Sequence, residues 1–158
     1  HTGAAGWSQA AAATRGDTTV YGAVLGSGSR SGRNEALQQL LTYGLDQYRT
    51  VRVLDASRVY ATATTGYDKA DVELVVPRGV TASIRTGRPL VERVIAPSSL
   101  ALPVAKGQRI GRVEVYEGNR LVAASTLLAA GAVADASLWD KVQWHARETV
   151  ANLWGMLT

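Results

Sequence analysis

The chain contains no cysteine. That single absence excludes a disulfide framework, a thiolate nucleophile and a thiolate-bound metal, and it leaves an oxidising compartment tolerated but not demonstrated. Histidine is nearly missing as well: His1 and His145 stand far apart, and no carboxylates cluster at ligand spacing. No metal site and no cofactor are therefore expected. Long apolar runs are also lacking, since no window approaches the ~18 uncharged apolar residues that a membrane-crossing helix requires. Lysine is scarce, with 3 against 14 arginines, and the arginines behind the formal net charge of +4 are scattered. Without a basic stripe interleaved with aromatics, nucleic acid is not an expected partner. Neither an initiator methionine nor a basic and apolar leader precedes His1, so any export signal is expected to have lain upstream and been removed.

What remains has the balance of a folded protein: 158 residues, 46% hydrophobic and 19% charged, enough for one ordinary domain or two small ones. Three segments follow one another. In residues 1–50, Trp7 to Thr14 is apolar but alanine-rich, a pattern open to helix or strand. Arg15-Gly16-Asp17 supplies a turn, and Thr18 to Leu25 is β-branched and aromatic, as a buried strand would be. Together they predict a hairpin. Past a Gly/Ser loop from Gly26 to Gly32, Ala36, Leu37, Leu40, Leu41, Gly44 and Tyr48 recur at helical spacing. They predict an amphipathic helix of about four turns, with Ser31 as N-cap and Glu35 in the first turn.

Residues 51–136 change character. Short valine-rich runs (Val51 to Leu54, Val72 to Val76, Arg112 to Tyr116, Leu121 to Ser125) are punctuated by glycine and proline, and Glu117-Gly118-Asn119 is a hairpin turn. The expectation is a small all-β domain, a sandwich or barrel. Residues 137–158 place Leu138, Trp139, Val142, Ala146, Val150, Leu153 and Leu157 within an arc of roughly 120° on a helix. Ser137 is its candidate N-cap, with Asp140 at the capping-box position. The fold class expected for the whole is α+β.

Several motifs have both a chemical and a plain reading. Gly26, Gly28 and Gly32 join a strand to a helix N-terminus, as in phosphate-binding loops. Their spacing is one residue longer than the dinucleotide fingerprint and the preceding strand belongs to a hairpin, so a connecting loop is the stronger reading. Arg15-Gly16-Asp17 matches a cell-adhesion tripeptide and serves equally as a tight turn, which is preferred. Serine-hydrolase chemistry needs a nucleophile with a base in reach. Yet no serine is followed three positions later by a lysine, and neither Ser-x-Asn nor Lys-Thr-Gly occurs. Arg85-Thr86-Gly87 only approximates the last of these and is expected to be a turn.

His1-Thr2-Gly3-Ala4-Ala5-Gly6-Trp7 resembles the stretch that follows Lys-Thr-Gly in D-alanyl-D-alanine carboxypeptidases of the low-molecular-weight penicillin-binding protein family. The likeness continues through Val24-Leu25-Gly26, Arg33, Glu35, Leu40-Leu41, Tyr43-Gly44 and Tyr48, similar to the last strand and last helix of that family's catalytic domain. Pro103-Val104-Ala105-Lys106-Gly107-Gln108-Arg109-Ile110-Gly111 is similar to the Pro-Val-x-x-Gly-Gln-x-x-Gly run of its β-rich second domain, and the Trp-bearing last segment resembles its membrane anchor. The resemblance implies the C-terminal part of a serine-type enzyme that trims peptidoglycan stem peptides through an acyl-enzyme, with β-lactams acylating the same serine. A non-catalytic cell-wall, membrane or partner-binding module of the same fold is the alternative.

No residue of this chain is expected to be catalytic. His1 and Thr2 would flank the substrate next to a Lys-Thr-Gly upstream, and the chain alone is expected to be inactive. The setting implied is the outer face of the cytoplasmic membrane, the periplasm or the cell wall. Leu138, Trp139, Val142, Val150, Leu153, Trp154 and Leu157 would form the membrane contact, with packing on a protein surface as the rival. A hairpin and one helix cut from a larger sheet would also leave apolar surface bare, so a homodimer is a further expectation.

Overall fold

The computed structural model describes residues 5–67 and 69–139. Strands β1 (Trp7–Arg15) and β2 (Thr18–Ser27) form an antiparallel ribbon in which Ala10 faces Ala23 and Ala12 faces Tyr21. The turn at Gly16-Asp17 needs a left-handed backbone, which Gly16 supplies at φ +57°. Alanine alone favours helix, so local propensity does not make β1 a strand. The tertiary pairing with the β-branched strand β2 decides it.

Helix α1 (Arg30–Asp46) covers one face of the ribbon. Its N-cap is Ser29, not Ser31: Ser29 has an extended backbone, and its Oγ accepts the Gly32 amide at 3.0 Å. The helix thus begins earlier than the spacing of its leucines suggested, and its first turn holds no acidic residue. Glu35 lies in the second turn. Tyr48 is also outside the helix. Gln47 caps the C-terminus, its carbonyl accepts the Thr86 amide at 2.8 Å, and Tyr48 opens strand β3 opposite Arg85. A strand partner outcompetes one more helical turn there.

The helix sits close to the ribbon because small residues face large ones. A Cβ on Gly22 would lie 3.1–3.4 Å from the tips of Leu40, Leu41 and Leu37, while Gly44 on the helix faces Val20. Leu37 and Leu45 are buried in the seam. Asp46, at the end of the helix where a negative charge opposes the backbone dipole, is paired with Arg15 at 2.7 Å.

From Tyr48 to Ala129 the regular elements are all strands. Strands β3 (Tyr48–Leu54) and β6 (Val80–Arg85) form a second antiparallel ribbon. Strands β4 (Val59–Thr65), β5 (Val72–Val75), β7 (Leu90–Ile95), β8 (Ser99–Leu100), β9 (Arg109–Glu117) and β10 (Arg120–Ala129) form a sheet in the order β7-β9-β10-β5-β4-β8. Only the β4–β8 pair is parallel. The inner face of this sheet supplies Val72, Leu74, Val113, Val115, Ala123, Leu127 and Ala129. Leu54 from the ribbon and Val76 and Val104 from loops join them in one buried cluster. The result is a lopsided sandwich, as the alternation in Val72–Val75 and Arg112–Tyr116 predicts.

The Gln47–Thr86 backbone bond and a hydroxyl pair between Thr18 and Ser83 tie the ribbon and helix to the sandwich.

Candidate functional site

The face of the first ribbon turned away from α1 is bare. It carries Ala10, Ala12 and Ala23, with Tyr21 83% and Leu25 79% exposed. Among the described residues β1 and β2 pair only with each other, so both outer edges keep free backbone donors and acceptors. A two-stranded ribbon covered on one side by a helix leaves its other face open. It offers edges for further strands and a flat apolar floor for a second layer.

The entrance to β1 is tightly built. Gly6 is left-handed at φ +63°, and a Cβ there would lie 2.8 Å from the Gly26 carbonyl carbon, so the two glycine backbones meet directly. Beside them the Arg33 guanidinium stacks over the Trp7 ring at 5.6 Å. His1 and Thr2 lie outside the described residues, as do Val142, Val150, Leu153, Trp154 and Leu157. Leu138 and Trp139 are described and expose 82% and 78% of their surface.

Ser8, Ser27, Ser29, Ser57 and Ser83 bond to partners other than lysine or histidine. Ser8 accepts the Gly26 amide, Ser27 donates to the Ser29 carbonyl, Ser29 caps α1, Ser57 donates to Asp55, and Ser83 meets Thr18. These hydroxyls hold turns, caps and tethers; none of these contacts involves a lysine or histidine. The Gly26–Gly32 loop is likewise consumed locally, because the Ser29 side chain occupies the Gly32 amide that a phosphate would seek. Among the described residues no His, Asp and Glu group could hold a metal, and no helix is long and apolar enough to cross a membrane.

The charged features that sequence reasoning missed lie in the sandwich. Glu117 is buried at 8% exposure, accepts the Arg85 amide, and takes two bonds from Arg120 at 2.6 and 3.1 Å. Arg120 also donates to the Ser83 carbonyl at 3.2 Å, so this carboxylate clamps the β9–β10 turn to β6. The Arg85 amide, then Arg120, hold its carboxyl below the usual range. On the outer face of the sheet the Tyr116 hydroxyl donates to Glu114 at 2.9 Å, which lowers the carboxyl and raises the phenol. In sequence Glu117 reads only as a turn residue, and its burial depends on a strand 32 positions away.

Among the described residues, ribbon, helix and sandwich form a mostly β unit with one helix. Residues 48–135 match the family of the penicillin-binding protein 5 C-terminal domain, and the chain belongs to that family. Its relatives match beyond that domain. The Escherichia coli D-alanyl-D-alanine carboxypeptidases DacD and DacA are each 26% identical, over 151 and 152 residues, and each match covers 90% of this chain. The chain spans 38% and 36% of their lengths. The solved penicillin-binding protein 5 of Haemophilus influenzae superposes with a TM-score of 0.51 at 26% identity, covering 85% of this chain and 41% of that one.

Proposed function

We propose that this chain is the C-terminal portion of a D-alanyl-D-alanine carboxypeptidase that trims peptidoglycan stem peptides through a serine acyl-enzyme. The observation that carries the reading is the one-sided ribbon. Its bare face of Tyr21, Leu25 and three alanines, with two unpaired edges, suits the last hairpin of a catalytic sheet whose other strands and second layer come from a preceding segment. That segment would bring the serine, its lysine partner and Lys-Thr-Gly. Relatives named as carboxypeptidases align across this ribbon as well as across the sandwich, which supports the same assignment.

In this reading α1 backs the catalytic sheet and the sandwich stands below it. Residues 137–158 lie on the outer face of the cytoplasmic membrane, starting from the exposed Leu138 and Trp139. Without the preceding segment the bare face would be covered by a second copy. Peptidoglycan stem peptides and β-lactams are partners of the whole enzyme only.

The test is to label cells that express the protein from its own locus with a fluorescent penicillin and to sequence the labelled bands. Tryptic peptides from residues 86–112 in a labelled band are expected. Finding them only in unlabelled protein would refute the reading and favour a non-catalytic wall or partner-binding module.

A further inference from the structure

Strand β9 contains an irregularity that places two guanidinium groups where a regular strand would not. Arg109 and Arg112 are three positions apart, and side chains an odd number of positions apart point to opposite faces of a regular strand. Here Leu127 pairs with Gly111 but Leu128 pairs with Arg109, so Ile110 is an extra residue in β9. This bulge restores the parity. Arg112 is the cross-strand partner of Thr126, Arg109 that of Leu128, and Thr126 and Leu128 share one face of β10. Both arginines therefore stand on the outer face of the sheet. Bulges commonly re-aim a side chain in this way beside working sites.

The two arginines line an open groove of about 500 Å³ together with Ile95, Ala96, Pro97 and Thr126. That is the size of a small-ligand site. The groove is rigid at its base, where Gly111 leaves a would-be Cβ only 2.5 Å from the Ile95 carbonyl oxygen. Arg112 commits its Nε to Glu114 at 2.9 Å, and its terminal nitrogens have no partner among the described residues. Arg109 has no carboxylate partner there. Glu114 is already neutralised by Arg112, and Arg93 faces it across the β7–β9 pair, so the groove is cationic.

A guanidinium pair matches the two oxygens of a carboxylate, and aliphatic walls beside it suit methyl groups. A carboxypeptidase of the kind proposed above works on peptides that end in this combination, a terminal carboxylate flanked by D-alanine methyls. We propose that the Arg109–Arg112 groove is a second, non-catalytic site that holds the C-terminus of a D-alanine-ended peptide. A bulge between a clamped glycine and a charged strand end would thereby keep substrate or trimmed product on the sandwich. The proposal rests on the carboxypeptidase reading for its ligand, while its site rests on the register of β9.

The test is a titration of the ¹⁵N-labelled chain with N-acetyl-D-alanyl-D-alanine, followed by NMR. Saturable shifts are expected at the Arg109 and Arg112 side-chain NεH signals and at the Gly111 and Thr126 amides. The same peptide as its C-terminal amide should leave them unmoved. Arg109→Gln should weaken binding by about tenfold or more, the loss expected for a charged hydrogen bond, while the remaining spectrum stays unchanged. Arg109→Lys should recover only part of it, since lysine lacks the fork. Equal shifts from inorganic phosphate or from the peptide amide would overturn the proposal, as would no saturable shift with the acid. Penicillin labelling reports on the preceding segment and this titration reports on the groove, so either reading can fail while the other stands.

Discussion

Replacing Gly111 with alanine should destabilise the sandwich far more than the same change at Gly22. At Gly111 the new Cβ would stand 2.5 Å from the Ile95 carbonyl oxygen, 2.9 Å from the Ala96 Cβ and 3.1 Å from the Ala96 Cα. Carbon and oxygen sit comfortably at about 3.3 Å or more. The end of β7 must therefore retreat by about 0.8 Å, and the obstacle is main chain that cannot rotate aside. A retreat of that size breaks one or two ladder hydrogen bonds at about 1 kcal/mol each. Residual overpacking adds about 1–2 kcal/mol, for a total of about 2–4 kcal/mol.

At Gly22 the nearest atoms, at 3.1, 3.2 and 3.4 Å, are the flexible tips of Leu40, Leu41 and Leu37. Small rotations there, helped by the lower entropy of an unfolded chain with alanine, should hold the net change within about 0.5 kcal/mol. Urea unfolding of both variants, followed by far-ultraviolet circular dichroism, compares them directly. If the midpoint of Gly111→Ala shifts no further than that of Gly22→Ala, the close approach of β7 and β9 is wrong, and with it the account of the groove.

Two further outcomes are expected. Because the folded Glu117 carboxyl is held below its ordinary value of 4.5 by the Arg85 amide and then Arg120, its contribution is present above that value and lost as pH falls through the lower folded one. The urea midpoint of the native chain should thus fall more steeply between pH 6 and pH 3 than that of Glu117→Gln, and parallel slopes would show the clamp contributes nothing. For the anchor, changing Trp139, Leu153 and Trp154 together to serine should reduce co-sedimentation with anionic vesicles on the order of a hundredfold. Unchanged partitioning would leave residues 137–158 to a protein surface.

The sandwich was partly legible because several of its strands alternate cleanly. Val72, Leu74, Val113 and Val115 fall at period two and are buried together. Less was readable where neighbours decide. Trp7 to Thr14 is strand because β2 lies beside it, and α1 ends before Tyr48 because Arg85 pairs there. Val59–Thr65, Val80–Arg85 and Leu90–Ile95 are strands too, each rich in β-branched residues. Ser29 and Ser31 are equivalent in composition and differ only in which hydroxyl reaches Gly32. The groove left no sequence signal, since the separation of Arg109 and Arg112 argues against a shared face until the register with β10 is known.

The single residue Gln47 between α1 and β3 has a practical meaning for anyone dividing this protein. The family boundary falls at residue 48, yet the Gln47 carbonyl is the acceptor for the Thr86 amide. A sandwich expressed from Tyr48 would carry a charged amino group beside that spot and leave the β6–β7 turn to water. The severed part would take Arg15 and Asp46 with it as a closed pair. A cleaner cut falls between Asp46 and Gln47, which keeps the Gln47 carbonyl with Thr86 and leaves the Arg15–Asp46 pair whole.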